Sequence, residues 1–262
     1  MRVVRFRVHD TIHFGIVHKD GTHVMGLKAD PLFSEPEPSG HVFSLDEVRL
    51  LSPVIPRSKV LCVGRNYAEH VRELDHEIPE EPLLFMKPNT AVIGPDDLIV
   101  HPSWSQRVDH EIELGVVIKT IVKDIAVKDV PTVIFGVLVA NDFTARDCQQ
   151  KDGQWTRAKG FDTSCPLGPW IDINPDLDLQ NLTLECEVDG ELRQQGNTKD
   201  MMWPVHELIS YMSKVCTLLP GDVILTGTPH GVGPVKPGQI VTSRIAEIGE
   251  FSNRIVAAEA TH

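Results

Sequence analysis

One stretch limits the folds open to this chain more than any other: Asp109-His110-Glu111-Ile112-Glu113-Leu114-Gly115-Val116-Val117-Ile118. The run after Glu113 is apolar and β-branched, which predicts a strand. Side chains alternate faces along a strand, so Glu111 and Glu113 share one face while Ile112 and Leu114 share the other. Two like charges held side by side repel unless something positive sits between them. A third carboxylate, Asp142, follows the apolar run Val137–Ala140, read as a neighbouring strand. Three oxygen donors without cysteine suit a hard cation, Mg²⁺ or Mn²⁺, better than zinc. By pattern alone the commoner arrangement is a half-solvated strand with its acidic residues on the wet face, because most acidic side chains face water.

The chain of 262 residues is long enough for one large domain, or one domain and a small appendage. Its 25 basic and 37 acidic residues leave a net charge of −12. That argues against nucleic acid and anionic membrane as partners, since both require a basic surface. A small anionic substrate stays compatible, provided a metal and a few Arg or Lys side chains supply local positive charge. The cysteines Cys62, Cys148, Cys165, Cys186 and Cys216 are dispersed with no C-x-x-C pair, which reads as reduced thiols in a cytosol-like compartment. The N-terminus has no apolar signal core. The longest apolar tract, Val130–Ala140, is interrupted by Pro131, Thr132 and Gly136 and is too short for a bilayer. The expectation is a soluble, cytoplasmic protein.

Residues 1–55 alternate polar and apolar, with Asp20-Gly21 as a hairpin turn, and predict a small β-rich module. Its histidines, His9, His13, His18 and His23, do not converge at strand spacing and are read as surface groups. The larger domain, 56–262, opens with a buried strand at Val60–Val63 and a helical stretch that puts His70 and Glu73 on one face at i, i+3. Asp129 and Pro131 predict a short capped helix. Residues 157–162 and 165–169 read as loops. Asp189-Gly190 marks a type I′ hairpin. Pro204–Cys216 is an amphipathic helix with proline at its first position, Asp222–Thr226 a buried strand, and Ile240–Val256 alternates again. The glycine-rich loop 227–234 has neither G-K-[ST] nor a following helix, so it reads as a turn whose N–H groups cradle a carboxylate and not as a nucleotide site.

Six motifs stand in one collinear order: Gly64-Arg65-Asn66-Tyr67-Ala68-Glu69-His70, Lys87-Pro88, His110-Glu111-Ile112-Glu113-Leu114-Gly115, Asn141-Asp142-Phe143-Thr144-Ala145-Arg146-Asp147, Lys159-Gly160-Phe161-Asp162 and Leu225-Thr226-Gly227-Thr228-Pro229. Together they resemble the fumarylacetoacetate hydrolase family over roughly residues 58–256, most closely its acylpyruvate hydrolase and oxaloacetate decarboxylase branch. The resemblance implies an α+β fold, a β-rich mixed β-roll with short helices, assembled as a homodimer. It implies one Mg²⁺ or Mn²⁺ on Glu111, Glu113 and Asp142, and a His70–Glu73 base dyad on a segment that orders over substrate. Arg65, Gln149, Lys159 and Thr228 match positions that hold the carboxylate or enolate oxygens of a small anionic 2-oxo acid, with Lys159 counted among the catalytic groups. Lys87 is implied to sit behind the metal carboxylates.

A cation in such a site stabilises an enolate as a Lewis acid, and a histidine oriented by Glu73 can take a proton from water. The expectation is an Mg/Mn-dependent hydrolase that cleaves a carbon–carbon bond in an acylpyruvate such as acetylpyruvate or fumarylpyruvate. Two alternatives use the same constellation: tautomerisation or decarboxylation of oxaloacetate, and isomerisation or decarboxylation of a 2-hydroxyhepta-2,4-dienedioate. A catalytically silent metal-binding scaffold is the non-enzyme alternative, disfavoured because neither dyad nor metal ligands are missing.

Overall fold

The structure, a computed structural model, describes residues 1–75 and 77–258, so the last four residues of the larger expected domain lie outside it. Its strands are β1 (Arg2–Val8), β2 (Thr11–Val17), β3 (His23–Leu27), β4 (Pro38–Ser44), β5 (Arg49–Leu51), β6 (Val60–Gly64), β7 (Leu83–Lys87), β8 (Val92–Ile93), β9 (Leu98–His101) and β10 (Val108–His110). There follow β11 (Ile112–Ile118), β12 (Ile134–Asn141), β13 (Thr144–Ala145), β14 (Cys165–Asp172), β15 (Thr183–Val188), β16 (Glu191–Asn197), β17 (Val223–Leu225), β18 (Gly233–Val235), β19 (Ile240–Ile245) and β20 (Gly249–Ala257). The α-helices are short: α1 (Ala68–Glu73), α2 (Arg146–Asp152), α3 (Thr156–Lys159) and α4 (Val205–Val215). This is the sheet-rich mixed fold with few short helices that the resemblance implies.

The largest sheet runs β4-β3-β2-β1-β14-β12-β11-β17-β6-β7, and a second runs β16-β15-β19-β20-β9. They pack against each other through β11 on β15 and β12 on β19. Every residue of β11 is buried, because neighbouring strands flank it and layers cover both faces, so apart from Glu113 the strand is a continuous apolar run instead of an alternating one. That burial overturns the half-solvated reading of the Glu111–Glu113 strand. Val205, Leu208, Ile209 and Met212 form the buried stripe of α4, which packs on the 3₁₀ turn Val127–Val133.

Strand pairing brings the site together. β11 and β12 are antiparallel with Ile112 opposite Asn141. Asp142 N therefore donates to Glu111 O at 2.8 Å, and Glu111 N donates to the Asn141 side chain at 2.9 Å. β17 runs parallel to β6, with Leu225 opposite Cys62. The loops after Gly64 and Leu225 consequently emerge side by side, at the end of the sheet where parallel strands present functional loops.

The first five strands continue the main sheet: β1 pairs β14 with Val3 opposite Ile171, and Val4, Phe6, Val17 and Val24 form a small core of their own. Several local expectations are corrected. Residues 165–169 belong to β14, not a loop. Prolines there mimic a break, but Leu167 and Gly168 pair with Ala140 and Val139, and Pro169 falls where the register shifts. Residues 157–159 lie in α3. The Asp129 helix is a 3₁₀ turn preceded by Ala126 with no side-chain cap, and Pro204 stands just before α4 as its N-cap.

Candidate active site

Glu111, Glu113 and Asp142 each present a carboxylate oxygen within 4.8 Å of the others. They are 4%, 1% and 0% exposed, a concentration of buried negative charge that must be offset. Lys159 Nζ bridges two of them, donating to Glu111 Oε2 at 2.8 Å and Asp142 Oδ2 at 2.6 Å. Lys87 Nζ donates to the other Asp142 oxygen at 2.5 Å, so it backs the triad from behind. Arg146, almost wholly buried, donates from its NH2 group to Glu111 Oε1 and from Nε to Asp109 Oδ2 at 2.9 Å. Arg107 closes the Asp109 end at 2.8 Å.

These partners divide the triad electrostatically. Burial pushes the Glu111 carboxyl up, but Lys159 and Arg146 more than offset it and hold Glu111 well below the usual range. Burial also pushes up Glu113, and the neighbouring Asp142 and Glu111 add to the effect, leaving it well above the usual range. Glu113 accepts the Gly227 N–H at 2.6 Å, and among the described residues no Lys or Arg stands within ion-pair distance of it. Three converging hard oxygen donors, one without a cationic partner, fit a hard divalent cation.

On the other side of the cleft, α1 brings His70 Nδ1 to 3.3 Å from Glu73 Oε2. Gly231 N donates to Glu73 Oε1 at 3.0 Å. Burial raises the Glu73 carboxyl, but the bonds from His70 and the Gly231 N–H outweigh it and keep the group below its usual range. An ionised Glu73 requires the proton on Nδ1, which leaves Nε2 of His70 as the free base. The glycine-rich loop thus cradles carboxylates as expected, and those carboxylates are the protein's own: Glu113 through Gly227 and Glu73 through Gly231. Gly231 has φ +95°, and a Cβ there would meet Arg193 O at 2.3 Å.

A narrow cleft joins these groups; Arg65, His70, Glu111, Glu113, Gln149, Lys159 and Thr228 line it. Every residue the resemblance assigns to the metal, the dyad or the substrate is therefore in the cleft or, like Glu73 and Asp142, bonded to a residue that is. Arg146 donates to Gln149 Oε1 at 2.6 Å, so Gln149 turns its NH₂ toward other acceptors. Arg65 holds φ +59° at the mouth, a conformation a non-glycine residue adopts only where its surroundings enforce it. Phe85 and Trp155 meet edge-to-face at 5.3 Å and form the apolar wall, with Lys159 Nζ 5.0 Å above the Phe85 ring. Sequence reasoning assigned no role to Arg146, Phe85 or Trp155. Charge accounting could have found Arg146, since buried carboxylates need more cations than Lys159 and Lys87 supply. The aromatic pair carries no such signal, because Phe85 and Trp155 are far apart in the chain.

Among the described residues no helix is long and apolar enough to cross a membrane. Residues 59–256 match the family model "Fumarylacetoacetate (FAA) hydrolase C-terminal" and residues 1–53 match "Rv2993c-like, N-terminal". An uncharacterized protein of Methanocaldococcus jannaschii is 49% identical over 77% of this chain and 84% of its own length. The oxaloacetate tautomerase FAHD2B, mitochondrial, of Bos taurus is 45% identical over 82% of this chain and 72% of its own. A crystal structure of 5-carboxymethyl-2-hydroxymuconate delta-isomerase from Mycobacterium smegmatis superposes with a TM-score of 0.90 at 43% identity, covering 98% of this chain and 100% of that one. The chain belongs to the fumarylacetoacetate hydrolase family.

Proposed function

We propose that this protein moves a proton on a small 2-oxo acid, interconverting the keto and enol forms of oxaloacetate or a close dicarboxylic analogue. The observation that carries the reading is the division of one small cleft into a buried carboxylate triad and, facing it, a histidine base oriented by Glu73. The names of the tautomerase and isomerase relatives favour this reaction type over bond cleavage.

Mg²⁺ or Mn²⁺ held by Glu111, Glu113 and Asp142 would supply Lewis-acid stabilisation of the negative charge that develops on the substrate's 2-oxo oxygen. The protein's own groups do the rest. Arg65, Lys159, the NH₂ of Gln149 and the hydroxyl of Thr228 present donors to the oxygens of an anionic substrate, although the molecule as a whole is acidic. His70 Nε2 takes the proton from the carbon beside the 2-oxo group and returns it to the oxygen, and Glu73 steadies the imidazolium in between. Phe85 and Trp155 exclude water from one side, which strengthens each of these charge interactions.

The test follows the absorbance of enol-oxaloacetate with purified protein, Mg²⁺ or chelator. A chelator-sensitive acceleration of its decay to the keto form supports the proposal, and no acceleration over buffer refutes it. A second reading, hydrolysis of a carbon–carbon bond in an acylpyruvate, is favoured by the same His70–Glu73 pair, which is equally placed to activate water. Pyruvate released from acetylpyruvate or fumarylpyruvate would select it.

A further inference from the structure

Gln194, on β16, is fully buried behind the cleft, and its side-chain amide makes four hydrogen bonds. Two backbone groups settle which end of the amide is which. Ile112 N donates to Oε1 at 3.1 Å, and Pro229 O accepts from Nε2 at 2.9 Å. Exchanging the two ends would set donor against donor and acceptor against acceptor. With Oε1 so placed, His110 Nδ1 at 2.9 Å must carry a proton. With Nε2 so placed, Thr228 Oγ1 at 2.8 Å accepts. The Thr228 hydroxyl therefore keeps its own hydrogen for an acceptor in the cleft it lines.

β16 also presses on the rest of that loop. A Cβ on Gly196 would meet Pro229 Cβ at 2.5 Å, and one on Gly231 would meet Arg193 O at 2.3 Å. The loop so pinned donates Gly227 N to Glu113 and Gly231 N to Glu73.

We propose that Gln194 is a positioning residue that fixes Thr228 as a hydrogen-bond donor to an anionic oxygen of the bound 2-oxo acid. The hairpin β15–β16, which contributes no lining side chain, in this way sets the polarity of one wall of the cleft. An unconstrained threonine hydroxyl turns as readily to accept as to donate, and a lone pair facing a carboxylate repels it.

The inference rests on the function proposed above, and its test separates the two. The probe is oxalate, a dianion that copies the carboxylate and enolate oxygens of a 2-oxo acid, titrated calorimetrically with Mg²⁺ present. Gln194→Glu keeps an acceptor for Ile112 N and His110 but offers Thr228 a second acceptor, which draws its hydrogen out of the cleft. Gln194→Glu and Thr228→Val should each weaken oxalate binding about tenfold. The double variant should be no weaker than the worse single, because both remove the same donor. In a Thr228→Ser background, which retains the hydroxyl, the Gln194→Glu loss should persist. If Gln194→Glu does not fold, Gln194→Met carries the same cycle with a smaller loss. Unchanged oxalate affinity in the Gln194 variant, or losses that add in the double variant, would overturn the inference and leave the proposed function standing. Wild-type protein that binds no oxalate with Mg²⁺ would overturn both.

Discussion

Replacing Glu113 with glutamine should stabilise the metal-free protein while abolishing its response to divalent cations. Glu113 is 1% exposed, within 4.8 Å of two other carboxylates, and its bond is to the Gly227 N–H. Glutamine keeps an oxygen for that N–H and turns its NH₂ toward Asp142 or Glu111. Two like charges within 4.8 Å of each other interact by at least about 3.5 kcal/mol at an effective dielectric near 20. The raised pKa of Glu113 relieves part of this repulsion, so the gain is smaller, on the order of 1–3 kcal/mol. In a chain of this size that raises Tm by about 3–10 °C. Because burial and the two carboxylates raise the folded-state pKa of Glu113 above its ordinary 4.5, its contribution is full below that value and is lost as pH rises through the raised one. Metal-free wild type should therefore lose stability as pH climbs above the ordinary carboxylate range, and the variant should lose less. Mg²⁺ at a hundredfold its Kd should stabilise wild type by about 2.7 kcal/mol, releasing a proton as it binds, and should leave the variant unmoved. Calorimetric melting in chelator and in Mg²⁺, over a pH series that starts near the ordinary carboxylate pKa, reads all of this. A variant that melts below wild type in chelator, or that retains the Mg²⁺ shift, would refute the assignment of Glu113 as the uncompensated ligand.

His70→Ala should lower turnover by about 10²–10⁴-fold with the Mg²⁺-induced melting shift intact; loss of that shift in a folded variant would make His70 part of the metal site instead. Arg146→Met removes the cation that Glu111 and Asp109 share, leaving Glu111 to Lys159 and Asp109 to Arg107, and should cost about 1.5–3 kcal/mol, read from the denaturant midpoint. Gly231→Ala forces a Cβ to 2.3 Å from Arg193 O at φ +95°. It should destabilise by at least about 1–3 kcal/mol and also reduce turnover, since the Gly231 N–H that steadies Glu73 is displaced. Glu73 has its pKa depressed despite burial, by His70 and the Gly231 N–H. Its share of stability is present above the ordinary carboxylate pKa and lost as pH falls through the depressed one, a pH dependence that Glu73→Gln should remove from the acid unfolding curve.

Much of the candidate site was legible because it lies in short runs whose local geometry is simple. Period-two alternation alone puts Glu111 and Glu113 on one face, and helical spacing alone pairs His70 with Glu73. Asp189-Gly190, both at positive φ, forms the turn that its residue types demand. Errors came where the local signal argued against the tertiary outcome. Pro166 and Pro169 mimic a loop inside β14, where neighbouring strands and a register shift absorb the missing donors. The Thr156–Lys159 helix is too short to show a period.

The sequence by itself carried the family, through six motifs in one collinear order, and the pairing of Glu111 with Glu113 and of His70 with Glu73, each of which rests on residue types at short fixed spacing. Only the tertiary structure decided that the acidic strand is buried at the centre of the sheet, that Arg146 and Lys159 neutralise Glu111 while Glu113 has no Lys or Arg partner among the described residues, and that Gln194 reaches Thr228 across 34 residues. Those outcomes depend on which strands become neighbours, and burial and charge compensation are properties of neighbours in space, invisible to spacing along the chain.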